Sequence, residues 1–97
     1  MATQPAPLIW HKGPLTAVIE PTDMVTLAGV PLPLFPRAMA ILVLLVAADF
    51  VELKTLMTMV KSVESLRVHM SSIRQYLPNG ITLENDERKG YRLVLKL

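Results

Sequence analysis

Eleven consecutive residues, AMAILVLLVAA at positions 38–48, carry no polar side chain. A helix built from them is apolar nearly all round, so it must be covered on more than one side, and the rest of the chain has to be layered about it. A bilayer span needs about 20 such residues, which makes a buried central helix the expected reading rather than a membrane anchor. Pro36 sets the start, because the fixed backbone angle of proline suits a first helical turn, where its missing N–H would be unpaired in any case. The helix is expected over 36–48, with Arg37 as its only charge.

The flanks supply the cover. Residues 8–35 interleave the short apolar runs LIW, TAVI and MVTLAGV with the turn-forming segments HKGP and EPTD, which predicts a meander of short antiparallel strands. Pro14, Pro21, Pro31 and Pro33 cannot donate to a ladder and belong at strand ends or edges. Ala28-Gly29 is expected to turn the chain between strands near 24–27 and 30–34. Beyond the central helix, Phe50 and Val51 form a short extended link, and Leu53, Leu56, Met57 and Val60 mark the inner face of a second helix, 52–61, whose polar side holds Lys54, Thr58 and Lys61. Ser62 caps a third helix, 62–77, with Val63, Leu66, Met70, Ile73 and Leu77 on its buried side. Pro78, Asn79 and Gly80 end it. The last stretch, 81–97, alternates apolar and polar residues on both sides of a charged turn and predicts a hairpin, with Ile81 and Leu83 on one arm and Tyr91, Leu93 and Leu95 on the other. Gly90 gives backbone freedom where the chain turns back. The sum is an α+β chain with a loose 1–7 and one domain at 8–97.

Composition narrows the chemistry. Ninety-seven residues, 52% of them hydrophobic, suffice for one core without a disulfide or a metal. Ten Lys and Arg against eight Asp and Glu leave a net charge of +2, which permits an anionic partner without demanding one. The chain has no cysteine, so disulfides, a thiolate nucleophile and a cysteine-ligated zinc are excluded. His11 and His69 are the only histidines; neither has a paired acidic motif, and there is no HExxH or glycine-rich phosphate loop. Neither catalysis nor a cofactor or metal is expected. Trp10 and Tyr91 are expected to pack between hairpin, sheet and helix. The start of the chain lacks a basic segment followed by an apolar core, so no signal peptide is expected and the expected location is the cytoplasm.

Strands, three helices and a terminal hairpin follow the order of a winged helix-turn-helix. SLRVHMSSIRQYL, 65–77, followed by KGYRLVL, 89–95, resembles the recognition helix and wing of the OmpR/PhoB-type DNA-binding domains of response regulators. The matching residues are Val68, His69, Arg74, Gly90, Tyr91 and Arg92, and the N-terminal strand meander is a further mark of that family. The resemblance implies a stand-alone effector domain of bacterial or phage origin that binds double-stranded DNA and regulates transcription. With no receiver domain in this chain, control by phosphorylation of its own aspartate is not expected.

At 100° per residue, Glu64, Arg67, Val68, Ser71, Ser72 and Gln75 face away from the Leu66, Met70, Ile73 stripe. A helix about 10–12 Å across fits a major groove roughly 12 Å wide, and side chains on this face can reach base edges. The resemblance implies that Arg67, Ser71 and Ser72 face bases while Ser65, His69 and Arg74 hold phosphates. His69 lies on the border of the two faces, so a packed, uncharged histidine stays equally open. Glu64 with Arg67 can equally be a surface pair. Arg88 and Lys89 stand at the hairpin turn, beside the position from which family members send an arginine into the minor groove; that position is Glu87 here. Ser71 and Ser72 replace commonly basic residues, and the link between the second and third helices, through which related activators touch RNA polymerase, is short. The expected partners are therefore double-stranded DNA, bound by two copies on repeated half-sites, or, in the alternative, RNA polymerase or another regulator bound by a winged-helix module acting as an anti-activator or polymerase-associated factor.

Overall fold

The computed structural model describes residues 9–18, 24–86 and 89–96. The chain is α+β. β1 (Ile9–Lys12), β2 (Leu15–Val18), β3 (Met24–Leu27) and β4 (Val30–Pro31) form an antiparallel sheet in sequence order. α1 (Pro36–Ala47) leads into β5 (Val51–Glu52), then α2 (Leu53–Met57), α3 (Val63–Tyr76), β6 (Ile81–Asp86) and β7 (Gly90–Leu95). The last sheet has the order β5-β7-β6, both pairings antiparallel.

The apolar run dictates the layering. Ile41, Leu42 and Leu45 have no exposed surface, and Ala38, Met39, Val43 and Val46 are also buried. One side of α1 packs on β1, β2 and β3, the other on α3 and β7. Each large aliphatic side chain buried this way contributes about 1.5–3 kcal/mol, so this helix holds the two sheets together. The Met39 sulfur adds a polar tie by accepting the Val25 N–H at 3.1 Å.

The meander differs from expectation in two places. His11 and Lys12 are not in the turn; they are the last rungs of β1, opposite Thr16 and Leu15, which leaves Gly13-Pro14 as the turn. The fourth strand ends at Pro31, short of 34, because Pro31 and Pro33 have no N–H with which to extend it. Ala28 and Gly29 both have positive φ, 53° and 82°, as a two-residue hairpin turn requires. EPTD, with Pro21, and the segment 1–7 expected to be loose lie outside the described residues, as does Leu8.

Placing Lys12 on the strand has a use. Its ammonium donates to Leu45 O at 3.1 Å and Ala48 O at 2.9 Å, covering carbonyls at the C-terminal end of α1, where that helix has no basic residue of its own. Burial holds the Lys12 pKa below the ordinary 10.5, with the nearby Asp49 opposing the shift. The folded chain therefore sheds this proton at a lower pH than the unfolded chain, and the group's contribution to stability rises with pH between the lowered value and 10.5. Denaturant unfolding at pH 7 and at pH 10.5 should show the wild type gaining stability relative to Lys12→Met at the higher pH; an unchanged difference would contradict the assignment.

The second helix is shorter than the expected 52–61. Glu52 is committed to β5, where it pairs with Gly90, and Thr58 closes the helix by donating its hydroxyl to Thr55 O at 2.6 Å. The link to α3 accordingly runs over 58–62, and the Arg37 guanidinium on α1 donates to Met59 O within it. The single charge of the central helix thus fastens the connection between the other two.

Candidate nucleic-acid interface

α3 forms where its cap and stripe place it. The Ser62 hydroxyl accepts from Ser65 N–H at 3.1 Å, Glu64 lies in the first turn and Arg74 in the last, each matching the helix dipole. Leu66, Met70 and Ile73 are buried against the core. Val63, expected on that side, is 48% exposed: as the first helical residue it projects past the covered stripe. Leu77 is half-buried and ends the helix in an extended conformation.

The opposite face is open along its length. Glu64, Arg67, Ser71 and Gln75 are exposed, Ser72 is half-buried, and Val68, in the middle, is 64% exposed. Arg67 has neither an ion pair nor a side-chain hydrogen bond among the described residues; the two ion pairs found there are Lys54–Glu52 at 3.6 Å and Arg92–Glu84 at 3.2 Å. The surface pairing of Glu64 with Arg67 is therefore not made. Ser65 and His69 are both half-buried, on the flank between the two faces.

Arg74 is exposed but partly engaged: Nη2 donates to Leu83 O at 3.3 Å, tying the last turn of α3 to β6. Sequence spacing could not reveal this contact, because it depends on how closely the hairpin approaches the helix. The hairpin is itself tied at its turn. Lys89 N–H donates to Asp86 O at 2.9 Å, and Lys89 O accepts from Leu53 N–H, the first of α2, at 2.7 Å. The exposed Lys89 side chain thereby sits beside the start of α2, while Arg88 and Glu87 lie outside the described residues. Across the strands, Arg92 donates through Nε and Nη2 to one Glu84 oxygen and is held on the hairpin surface.

Between the hairpin turn and α2 lies an open groove with Phe50, Leu53 and Met57 as its apolar lining and Glu52, Lys54, Thr58 and Lys89 as its polar lining. Nothing in the residue pattern points to it, since Phe50 reads as linker and Leu53 and Met57 as core. Tyr91 is buried and Trp10 is half-buried against the core, so both aromatic residues pack rather than present a stacking platform. No helix among the described residues is long and apolar enough to cross a membrane.

What the fold and this face define is a small α+β chain that presents one amphipathic helix beside a short-turned hairpin. Compared with protein-family models, curated proteins and solved structures, the chain matches none.

Proposed function

We propose that the chain is a winged helix-turn-helix protein of the OmpR/PhoB type, a sequence-specific regulator of transcription that binds double-stranded DNA. The observation that carries the reading is α3, whose inner stripe is buried while its outer face stays open from Glu64 to Gln75, with a hairpin fastened beside it. In this reading α3 enters the major groove. Arg67, Ser71 and Ser72 meet base edges, and Ser65, His69 and Arg74 meet phosphates. The hairpin turn, with Arg88 and Lys89, approaches the minor groove, whose negative potential favours cations. One such domain covers few base pairs, so two copies on repeated half-sites supply the affinity. The reading is of a binding protein and not of an enzyme, acting in the cytoplasm.

A mobility-shift assay at low salt, with duplex recovered from a randomised library by selection on the wild-type chain, tests it. The wild type should retard DNA, and Arg67→Ala should lower the affinity about tenfold, the worth of one good base contact, with an unchanged thermal transition. Absence of any shift by the folded wild-type chain would remove the proposal.

One observation favours a second reading. The groove of Phe50, Leu53 and Met57 and the exposed Val68 are apolar surfaces of the kind a protein partner covers. A winged-helix module acting as an anti-activator or polymerase-associated factor would use them, and its complex would survive nuclease treatment.

A further inference from the structure

The carboxylate of Glu64 stands at the N-terminal end of a face read above as meeting DNA, where a negative charge is out of place. It is exposed and has no ion pair among the described residues. Nor is it used to cap the helix. In a reciprocal capping box the third helical residue returns a carboxylate to the cap, but here that residue is Ser65, whose N–H donates to Ser62 Oγ, and Glu64 is the second. At 100° per residue it lies on the outer face, about 150° round the helix from the Leu66, Met70, Ile73 stripe. The one acidic side chain of α3 is therefore presented to the partner from the first turn.

We propose, on the basis of the DNA-binding reading, that Glu64 selects cytosine in the bound site. A carboxylate has only acceptor lone pairs. In the major groove, guanine O6 and N7 and thymine O4 are also acceptors and repel it. Adenine offers one donor, N6–H, but sets the N7 acceptor beside it. Cytosine presents N4–H alone. Close to phosphates and stripped of water, Glu64 is compensated only over cytosine, so it acts as much by rejecting the other bases as by binding this one. Arg67 lies three residues on, about 4.5 Å along the helix axis, comparable to the roughly 3.4 Å separation of stacked bases. Its guanidinium takes guanine O6 and N7, the complementary acceptor pair. The two side chains together specify a guanine and a cytosine on neighbouring base pairs.

The test is selection of bound fragments from a duplex library of randomised sequence at low salt, using the full chain as wild type, Glu64→Gln, Glu64→Ala and Arg67→Ala. The wild-type pool should carry an invariant cytosine beside a guanine. Glutamine offers one donor and one acceptor and pairs with adenine N6 and N7, so Glu64→Gln should replace that cytosine by adenine, inverting the ratio of the two bases by tenfold or more and leaving the other positions as they were. Glu64→Ala should lose the preference without gaining another, and Arg67→Ala should lose the guanine. Glu64 is exposed, so melting temperatures of its variants should stay close to wild type, which separates a change of specificity from a change of fold. If wild type, Glu64→Gln and Glu64→Ala select the same base at every position, Glu64 serves only the helix dipole and the inference is wrong while DNA binding stands. If the folded wild type enriches no sequence over the input, both readings fall.

Discussion

Gly90→Ala is expected to destabilise the chain by about 3–5 kcal/mol and to lower the melting temperature by roughly 15 °C or more. Gly90 has φ of 154°, and the Cβ of an alanine would clash with Val51 O, far inside van der Waals contact, and come within 2.9 Å of Val51 C and 3.0 Å of Glu52 Cα. None of these is a flexible side-chain tip that could swing aside. They belong to β5, which pairs with β7 at Val51–Tyr91 and Glu52–Gly90. Relief requires β5 to separate from β7, and Leu53 N–H, the next donor along, then loses its register with Lys89 O. The damage should spread to the start of α2 and to the position of the hairpin turn. Hydrogen exchange should accordingly show lost protection in β5 and the first turn of α2, with β1, β2 and β3 protected as before. A variant melting within 5 °C of wild type would refute the argument from close approach. The value of glycine here is the missing side chain more than the freedom to turn, because Gly90 is already a rung of β7, opposite Glu52 on one side and Asp86 on the other.

Which parts of this fold could be read from the chain depends on whether the deciding interaction is local. α1 was legible because eleven apolar residues admit few arrangements, and its start because proline has one preferred place in a helix. α3 was legible from Leu66, Met70 and Ile73 and from its serine cap, and the hairpin from its alternation. Where contacts across the fold decide, the pattern misleads. The apolar positions from Leu53 to Val60 read as one helix, yet pairing of Glu52 with Gly90 and the Thr58 hydroxyl stop it at both ends. Lys12 reads as a turn residue because histidine, lysine, glycine and proline cluster there; its attachment to α1 involves carbonyls 33 and 36 residues away. The candidate face divides the same way. Exposure of Arg67, Val68 and Ser71 follows from helical geometry alone, whereas the engagement of Arg74 with Leu83 O required the hairpin to be in place. That contact changes what Arg74 can be asked to show. Its removal would weaken both the docking of β6 and any phosphate contact, so Arg67, with no such tie, is the cleaner probe of binding.

Salt should separate the two functional readings more sharply than any single substitution. In the DNA-binding reading the cations brought to the phosphate backbone are Arg74, in the last turn of α3, and Arg88 and Lys89 of the hairpin turn. If these three meet phosphates, counterion release gives a slope of log affinity against log salt of about −2.7, and raising salt from about 50 to 200 mM should weaken DNA binding about 40-fold. Lys89→Gln should make the slope shallower by about 0.9, whereas Arg67→Ala, removing a base contact, should lower the affinity at every salt concentration and leave the slope nearly unchanged. A partner held on Phe50, Leu53 and Met57 behaves otherwise, because apolar burial is insensitive to counterions and is strengthened by sulfate. Affinity for duplex DNA that changes less than about threefold over that salt range would rule out phosphate contact by these residues and leave the apolar groove as the surface the chain uses.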